Sequence, residues 1–240
     1  MSMELLWGGR SQPSRGPRPT LDLTGLADAG IAIADAEGLA AVSMQRVAAA
    51  LGVTKMALYR YVPGKAELLA LMLERAIGAP PEPDPGDWRA GLTQWARALL
   101  EAYLRHPWVL EVTVGPRPLG PAELTWMETG LRLLEGTGLR GAERFDTLAT
   151  LAAQARSAAD QLRGGADPEG QLATVIATVV RDHAERFPAV VAAVTESADD
   201  DREQAFDFGL ERILDGLQAL MHRRDASAHP GCEQPGCAHY

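Results

Sequence analysis

The sequence predicts an all-α protein built from two helical regions, and two features of the chain support this prediction. Between Trp88 and Tyr103, five large apolar residues recur at spacings of four, three, four and four, which places them on one face of a helix. The one segment with strand propensity, TVIATVV at 174–180, has no second candidate strand to pair with. We therefore expect this segment to be helical as well.

The first region begins with residues 1–20, which are rich in Pro, Gly and Arg and are expected to be disordered. A helix is predicted from about Asp22 to Glu37, and Gly38 ends it. A further helix is expected from about Gly64 to Ile77. The most informative residues of the chain lie between these two helices.

Residues 39–63 predict two short helices joined by a tight turn. Ser43 is a good N-cap for the first helix, and Thr54 is a good N-cap for the second. Gly52 supplies the left-handed backbone that lets the chain reverse, and Val53 fills the angle between the helices. This pattern is typical of a helix-turn-helix.

The second short helix is expected to keep one face in solvent. Its spacing turns Ala57, Leu58 and Tyr61 inward and leaves four side chains outside. These four are Lys55, Met56, Tyr59 and Arg60. A helix that protrudes after a tight turn can enter a major groove, so the pattern predicts double-stranded DNA as a partner.

The resemblance to a known family rests on four pieces in the right order. They are the preceding amphipathic helix, the block S-M-x-x-V-A-x-x-L-G-V-T at 43–54, A-L-Y-x-Y-V at 57–62 and G-K-x-E-L-L at 64–69. Together they resemble the TetR family of bacterial transcriptional repressors over Leu21 to about Ile77. This resemblance implies a DNA-binding domain at 21–77 that works as part of a homodimer on a palindromic operator.

The resemblance also implies roles for individual side chains. Base edges would be met by Lys55 and Met56, with Ala57 at a thymine methyl and Gln45 reaching from the preceding helix. Phosphates would be bound by Ser43, Thr54, Tyr59, Tyr61 and Lys65, and Arg60 completes the DNA-binding set. The division agrees with general chemistry, because tyrosine hydroxyls and helix N-termini suit phosphates whereas lysine can donate to guanine.

The N-terminal arm has a second interpretation beside simple disorder. Short basic arms next to a helix-turn-helix can enter an adjacent minor groove, and Arg15 and Arg18 would do so here.

The charge of the chain is distributed unevenly. The net charge is −9, yet residues 1–65 carry seven Lys or Arg against five acids, and the remaining residues carry 16 against 27. An acidic body repels non-specific DNA while a mildly basic head still binds phosphates. No run of eighteen apolar residues and no signal peptide is visible, so we expect a cytoplasmic protein with no membrane partner.

A domain boundary is predicted at 78–87, GAPPEPDPGD, because four prolines in ten residues prevent a continuous helix. The second domain is expected at 88–222. Its further helices are predicted at about 108–114, 121–135, 142–162, 171–184, 188–195 and 201–222. Residues 223–240 are expected to form an unstructured tail.

Two segments of the second domain resemble the C-terminal domain class of tetracycline repressor. One is 115–118, GPRP, followed by ETGLRLLEGTGL at 128–139, and the other is FDFGLERILDGL at 206–217. The resemblance implies helical ligand binding and dimerisation. It breaks at Thr113, where tetracycline repressor has a histidine that binds the metal of its drug complex, so no metal site and no cofactor is expected.

Dimerisation is predicted through two helices. The last helix carries apolar residues along one face, with Gly209 and Gly216 seven residues apart, and the helix at 142–162 carries alanines. The alanines are Ala149, Ala152, Ala153, Ala155 and Ala159. Two such helices from each of two chains would form a four-helix bundle, whereas the alternative is ordinary core within one chain.

The ligand cavity is predicted from large aromatics mixed with isolated polar groups. The candidates are Trp95, Tyr103, His106, Trp108, Arg117, Trp126, Met127, Gln154, Arg156 and His183, with Asp160 beside them. Each has a plainer interpretation: the tryptophans as core, Arg156 and Asp160 as an intrahelical ion pair, and His106 as a helix cap.

Residue patterns for catalysis are missing. The chain has no G-x-x-x-x-G-K-[ST], H-E-x-x-H or G-x-S-x-G motif, and both cysteines lie in the last nine residues. The tail offers Cys232, Cys237, His229 and His239 as zinc ligands, or it is a free reduced tail. We therefore predict a repressor released by a small-molecule inducer and not an enzyme. The alternative is a regulator whose second domain only dimerises or binds a protein partner.

Overall fold

The computed structural model describes residues 3–8, 21–82, 86–115, 117–165, 168–181, 183–196 and 205–228, and within them the fold is all-α, as predicted. The first region contains α1 (Met3–Leu6), α2 (Leu23–Glu37), α3 (Met44–Ala50), α4 (Lys55–Tyr59) and α5 (Lys65–Ile77). The second contains α6 (Trp88–Arg105), α7 (Val109–Val112), α8 (Pro121–Leu133), α9 (Gly141–Leu162), α10 (Pro168–Arg181), α11 (Pro188–Glu196) and α12 (Ala205–Ala228). The segment 174–180 is helical, which confirms the prediction made for it.

The helix-turn-helix is formed by α3 and α4 through the local chemistry predicted. The Ser43 hydroxyl accepts a hydrogen bond from the Arg46 amide at 3.2 Å, and the Thr54 hydroxyl accepts one from the Ala57 amide at 3.2 Å. Gly52 lies between the two helices with φ of 67°, a conformation that a side chain would strain. These caps fix where each helix begins and therefore fix the angle of α4.

Helix α5 packs along α2 and closes the core of the first region. Gly30 makes the close approach possible, because a Cβ at this position would lie 2.6 Å from the Met72 sulfur. Arg75 and Asp28 form an exposed ion pair between the same two helices at 2.8 Å. The fully buried side chains beneath α3 and α4, Val47 and Leu58, belong to the same core.

The second region is organised around α6, which packs against α8 and α9. Leu92 and Ala96 of α6 and Ala155 of α9 are fully buried. Gly130 on α8 allows α9 to approach, because a Cβ there would lie 2.6 Å from a Leu148 methyl carbon. Helix α12 then packs on α9, with Leu214 fully buried.

Both chain ends differ from the expected disorder in the residues that the structure describes. Near the N-terminus, α1 packs against α5, and the Trp7 indole donates to the Leu119 carbonyl at 3.2 Å. Near the C-terminus, α12 continues to Ala228, six residues past the predicted end. It is held there because Arg224 pairs with Glu143 of α9. Arg15, Arg18 and the cysteine- and histidine-containing end of the tail lie outside the described residues.

None of the helices in the described part of the chain is long and apolar enough to cross a lipid bilayer.

Candidate DNA interface and ligand-binding site

The outer face of α4 presents the side chains predicted to meet base edges. Met56 is 73% exposed, and Lys55 is exposed beside it. The Lys55 Nζ lies 5.7 Å from the centre of the Tyr59 ring, so the two side chains form a cation–π contact. Gln45 is exposed on α3. A protruding helix with these groups can donate to and pack against base edges.

The predicted phosphate-binding residues differ in exposure. Tyr59 and Lys65 are exposed, as is Arg60, whereas Tyr61 is half-buried against the core. Ala57, predicted to lie at a thymine methyl, is half-buried as well. Ser43 and Thr54 use their hydroxyls as helix caps, and their exposed helix N-termini are the groups available to a phosphate. These assignments are compatible with the geometry and stay predictions.

Arg46, a nearby cation outside the predicted DNA-binding set, is held by an acid of the preceding helix. Its guanidinium makes a two-pronged ion pair with Glu37 at the end of α2, including a 2.8 Å bond from Nη1 to Oε2. The hydrogen bond to this guanidinium lowers the pKa of the Glu37 carboxyl. Arg46 therefore ties α3 to α2.

Two of the predicted ligand residues, Trp95 and Trp126, pack together inside the second region. Their rings meet edge to face with centroids 5.7 Å apart. The Trp95 indole donates to the Trp126 carbonyl at 3.0 Å, and the Trp126 indole donates to the Gly78 carbonyl at 3.0 Å. Gly78 ends α5, so this chain of hydrogen bonds joins the interior of the second region to the last helix of the first.

His106 and Trp108 bind a residue of α2 that the sequence did not single out. The Trp108 indole donates to Asp35 Oδ1 at 2.7 Å, and His106 Nδ1 lies 2.9 Å from the same oxygen. Asp35 belongs to the last turn of α2. A carboxylate is unfavourable at the C-terminal end of a helix. The position of Asp35 in the sequence could therefore have indicated that another part of the chain binds it.

Arg117 and Tyr103 are brought to one place with Glu123. Arg117 pairs with Glu123, which is 6% exposed, and burial is the main cause that raises the pKa of Glu123 to about 6. Tyr103 is 7% exposed, and burial raises the pKa of its phenol, while nearby Arg156 and Arg117 lower it. Glu123 was not predicted, because an acid in an amphipathic helix normally faces solvent.

Glu74 of α5 forms a second contact between the two regions. Its carboxylate accepts from the Ala122 amide at 2.7 Å, so it caps the N-terminus of α8 from a distance of 48 residues in the chain. Gly120 provides the space, because a Cβ there would overlap the Glu74 carboxylate. The sequence analysis did not identify Glu74 as a cap, because the helix that it caps begins more than 40 residues later in the chain.

Arg156, predicted to bind ligand, does not form the intrahelical ion pair with Asp160 that was its plainer interpretation. Its guanidinium donates to the Leu110 carbonyl and to the Thr113 hydroxyl, the latter at 2.5 Å. Asp160 pairs instead with Arg163 at 3.5 Å. The long-range contact forms because carbonyl groups in the last turn of a helix have no amide partner within the helix, and the Leu110 carbonyl is in the last turn of α7.

The three remaining predicted ligand residues do not join this cluster equally. Met127 is half-buried on α8, and the Gln154 amide donates to the Ala205 and Phe206 carbonyls at the start of α12. His183 is exposed in the turn between α10 and α11. The structure therefore gives no reason to place Gln154 or His183 beside Tyr103 and Arg117.

A separate groove of about 730 Å³ lies on the outer side of α6. Its walls include Pro81, Asp87, Arg89, Ala90, Thr93, Gln94, Arg97, Ala98 and Glu101, none of which was predicted to bind ligand. Arg89 and Arg97 at its edge are ion-paired with acids of α12.

These features define a helix-turn-helix protein with a helical C-terminal domain joined to the DNA-reading unit through α5. Residues 26–72 match the family described as bacterial regulatory proteins, tetR family, and residues 80–221 match the tetracyclin repressor-like C-terminal domain. The chain belongs to the TetR family of transcriptional regulators. Both parts of the resemblance found in the sequence are confirmed.

Individual relatives agree with this assignment. The chain is 42% identical to the HTH-type transcriptional repressor DrrR1 of Streptomyces coeruleorubidus over 241 residues, covering 95% of this chain and 89% of that protein. The apo structure of ActR from Streptomyces coelicolor superposes with a TM-score of 0.75 at 27% identity, covering 87% of this chain and all of that one. ActR in complex with actinorhodin gives 0.72 at 28% identity, covering 86% and 99%.

Proposed function

We propose that this chain is a homodimeric repressor that binds a palindromic operator through α4 and is released by a small-molecule inducer. The observation that carries the proposal is that α5 contacts both parts of the protein. It follows α4, the exposed recognition helix, and it is hydrogen-bonded through Glu74 and Gly78 to α8, which carries part of the interior polar cluster. The family membership supports transcriptional regulation, and the name of the relative DrrR1 supports repression.

The DNA contacts follow from exposure and chemistry. Lys55 and Met56 meet base edges in the major groove, with Ala57 and Gln45 at its border. Tyr59, Tyr61, Arg60, Lys65 and the capped N-termini at Ser43 and Thr54 hold phosphates. Two copies of α4 in successive major grooves require two-fold symmetry, and the operator is then an inverted repeat.

The dimer forms through the exposed sides of α9 and α12. Phe145 is 55% exposed and Phe208 is 53% exposed, which is unusual for phenylalanine on helices that otherwise pack well. Ala149 and Ala153 are exposed near Phe145, and Gly216 is open on α12. Two of the alanines predicted for the interface, Ala155 and Ala159, are instead fully buried within the chain. The interface therefore uses the opposite side of α9.

The ligand binds between α6, α8 and α9, close to Tyr103 and Arg117. A ligand-bound structure of ActR with actinorhodin supports small-molecule control for a chain of this fold. Ligand binding there changes the contacts of Glu74 and Gly78, which hold α5 to α8. Movement of α5 changes the separation of the two recognition helices, and a difference of a few kcal/mol between the two states is enough for release.

The first experiment selects bound sequences from a random duplex library at two salt concentrations. We expect a palindrome with two half-sites and an affinity that falls as salt rises. The selected duplex then serves as a probe for release by actinorhodin, the compound bound in the similar ActR structure. Recovery of no sequence above background contradicts the repressor mechanism.

The dimer is tested with a pair of matched substitutions. Phe208→Arg on α12 is expected to give monomers by sedimentation and to abolish binding to the full palindrome. Leu104→Arg, at a comparably exposed residue of α6, is the control and leaves the dimer intact. Monomers from neither variant, or from both, contradict the proposed interface.

A further inference from the structure

The helix-turn-helix contains a single acid among its cations. Residues 37–65 carry four Lys or Arg but only one Asp or Glu, which is Glu37. The four cations are Arg46, Lys55, Arg60 and Lys65. A carboxylate close to DNA is repelled by the phosphates, so acids are unfavourable on a surface that binds the duplex. An acid at this place therefore needs a partner that neutralises it.

Glu37 is bound to one of these four cations. Its carboxylate accepts hydrogen bonds from both terminal nitrogens of the Arg46 guanidinium, and the bond from Nη1 to Oε2 measures 2.8 Å. The two side chains are about half exposed, at 46% for Arg46 and 50% for Glu37. An exposed ion pair contributes little to stability, so stabilising the fold is a minor effect of this pair.

Arg46 lies at the end of α3 that is available to a phosphate. The helix begins at Met44, and the Arg46 amide donates to the capping Ser43 hydroxyl at 3.2 Å, so Arg46 belongs to the first turn. Gln45, which was predicted to reach a base, precedes it and is exposed as well. A guanidinium on this turn would be a strong phosphate ligand, and the helix N-terminus adds its own attraction for anions.

We propose that Glu37 limits the sequence-independent DNA affinity of this regulator by holding the Arg46 guanidinium away from the phosphates. Glu37 is thus a positioning residue, because it acts on DNA through Arg46. A cation that is already neutralised displaces no counterion from the duplex, so the paired Arg46 adds neither affinity nor salt dependence. The inference rests on the proposed function, since it concerns DNA binding by the same helix-turn-helix.

A second ion pair of α2 provides a matched control. Asp28 binds Arg75 of α5 through the same kind of two-pronged contact, and both side chains are again about half exposed. Asp28 lies nine residues before Glu37, which is about 13 Å along the helix. Exposed charges at this separation are largely screened at about 0.15 M salt. Asp28→Asn therefore changes the net charge as Glu37→Gln does, but it frees no cation at the N-terminus of α3.

The test measures binding of the full chain to a fluorescent duplex of random sequence at several salt concentrations. Glu37→Gln should bind this duplex roughly fivefold more tightly than the wild type, because the freed guanidinium gains a phosphate. The slope of log K against log salt should become steeper by about 0.9 for each bound protomer, the value for one added phosphate contact. Asp28→Asn should match the wild type in both quantities.

A double substitution shows whether Glu37 acts through Arg46. In an Arg46→Gln background, Glu37→Gln should leave the salt slope unchanged and alter the affinity by less than about twofold, because no guanidinium remains to be freed. Base preference at the selected operator should be the same in Glu37→Gln and in the wild type, since a phosphate contact carries no base information.

A salt slope in Glu37→Gln that equals the slope in Asp28→Asn would overturn the inference. An equal gain in the Arg46→Gln background would also overturn it, because Glu37 would then repel DNA directly. A changed base preference in Glu37→Gln would contradict it as well. A chain that selects an operator but fails these comparisons keeps the proposed function and loses only the role of Glu37. A chain that binds no duplex contradicts both.

Discussion

The Asp35 carboxylate at the end of α2 accepts a 2.7 Å hydrogen bond from the indole of Trp108, which lies 73 residues later and is 2% exposed. This bond joins the first helix of the DNA-binding region directly to the segment that follows α6. Glu74 and the Gly78 carbonyl on α5 make further hydrogen bonds to α8. The second region therefore contacts the DNA-binding region through both α2 and α5.

Asp35→Ala should lower the free energy of unfolding by about 1–3 kcal/mol, since the buried Trp108 donor loses its acceptor. Removing a carboxylate from the last turn of α2 also relieves its repulsion with the helix dipole, but this stabilises the protein by only about 0.3–1 kcal/mol. The net effect should therefore be destabilising. Chemical denaturation measures the difference. Asp35→Asn, which keeps an acceptor oxygen, should recover most of the stability. Asp28→Ala on the same helix removes an exposed pair and should cost less than about 1 kcal/mol.

Gly120→Ala should destabilise the protein by about 1–3 kcal/mol because its Cβ would overlap the Glu74 carboxylate. The backbone at this residue, with φ of −98°, accepts alanine without strain. In a Glu74→Ala background the same change should therefore cost little. A double-mutant cycle by denaturation measures the interaction between the two sites. Additive effects would show that the two positions are independent, and Gly141→Ala, with open space around it, is the control.

Lys55→Ala should relax base preference at one or two operator positions. We expect the free energy that favours the preferred base over the others to fall by about 1–3 kcal/mol at those positions. Tyr59→Phe should instead weaken binding to all sequences alike, because a phosphate contact carries no base information. Sequence selection with each variant separates the two roles. An unchanged preference profile for Lys55→Ala removes it from the base-reading set, and an altered profile for Tyr59→Phe removes it from the phosphate set.

Glu123 should make stability depend on pH in a defined window. Its pKa is about 6 in the folded protein against 4.5 ordinarily, mainly because of burial. Between these values the folded state binds more protons than the unfolded state, so the free energy of unfolding falls as pH rises. Relative to Glu123→Gln, the wild type should lose up to about 2 kcal/mol between pH 4.5 and 7. Exposed Glu128→Gln is the control, and a flat or opposite difference contradicts the assignment.

The local parts of the fold could be predicted because they depend on neighbouring residues. Ser43, Gly52 and Thr54 act within three residues of their own positions, and the structure shows the caps and the turn that they predict. The end of α12 was placed too early because the contact that extends it, Arg224 to Glu143, spans 81 residues.

The polar contacts between the two regions could not be predicted for the same reason. Arg156 and Asp160 have the spacing of an ion pair, and the competing acceptor at Leu110 is 46 residues away. Asp35 and Glu74 each bind groups that a linear pattern does not bring near. The sequence indicated the residue types of the ligand region, whereas the pairing of Arg117 with a buried Glu123 depends on the folded chain.

Helix α5 has one side for each region: Met72 and Arg75 face α2, while Glu74 and the Gly78 carbonyl face α8. Hybrid regulators that join the DNA-binding part of one chain to the sensor of another must therefore place their junction with care. A junction at the proline-rich segment after Gly78 would keep α5 with its α2 partner but give it a foreign α8. Such a hybrid would bind its operator and ignore its ligand unless the residues facing Glu74 and Gly78 were transplanted with the sensor.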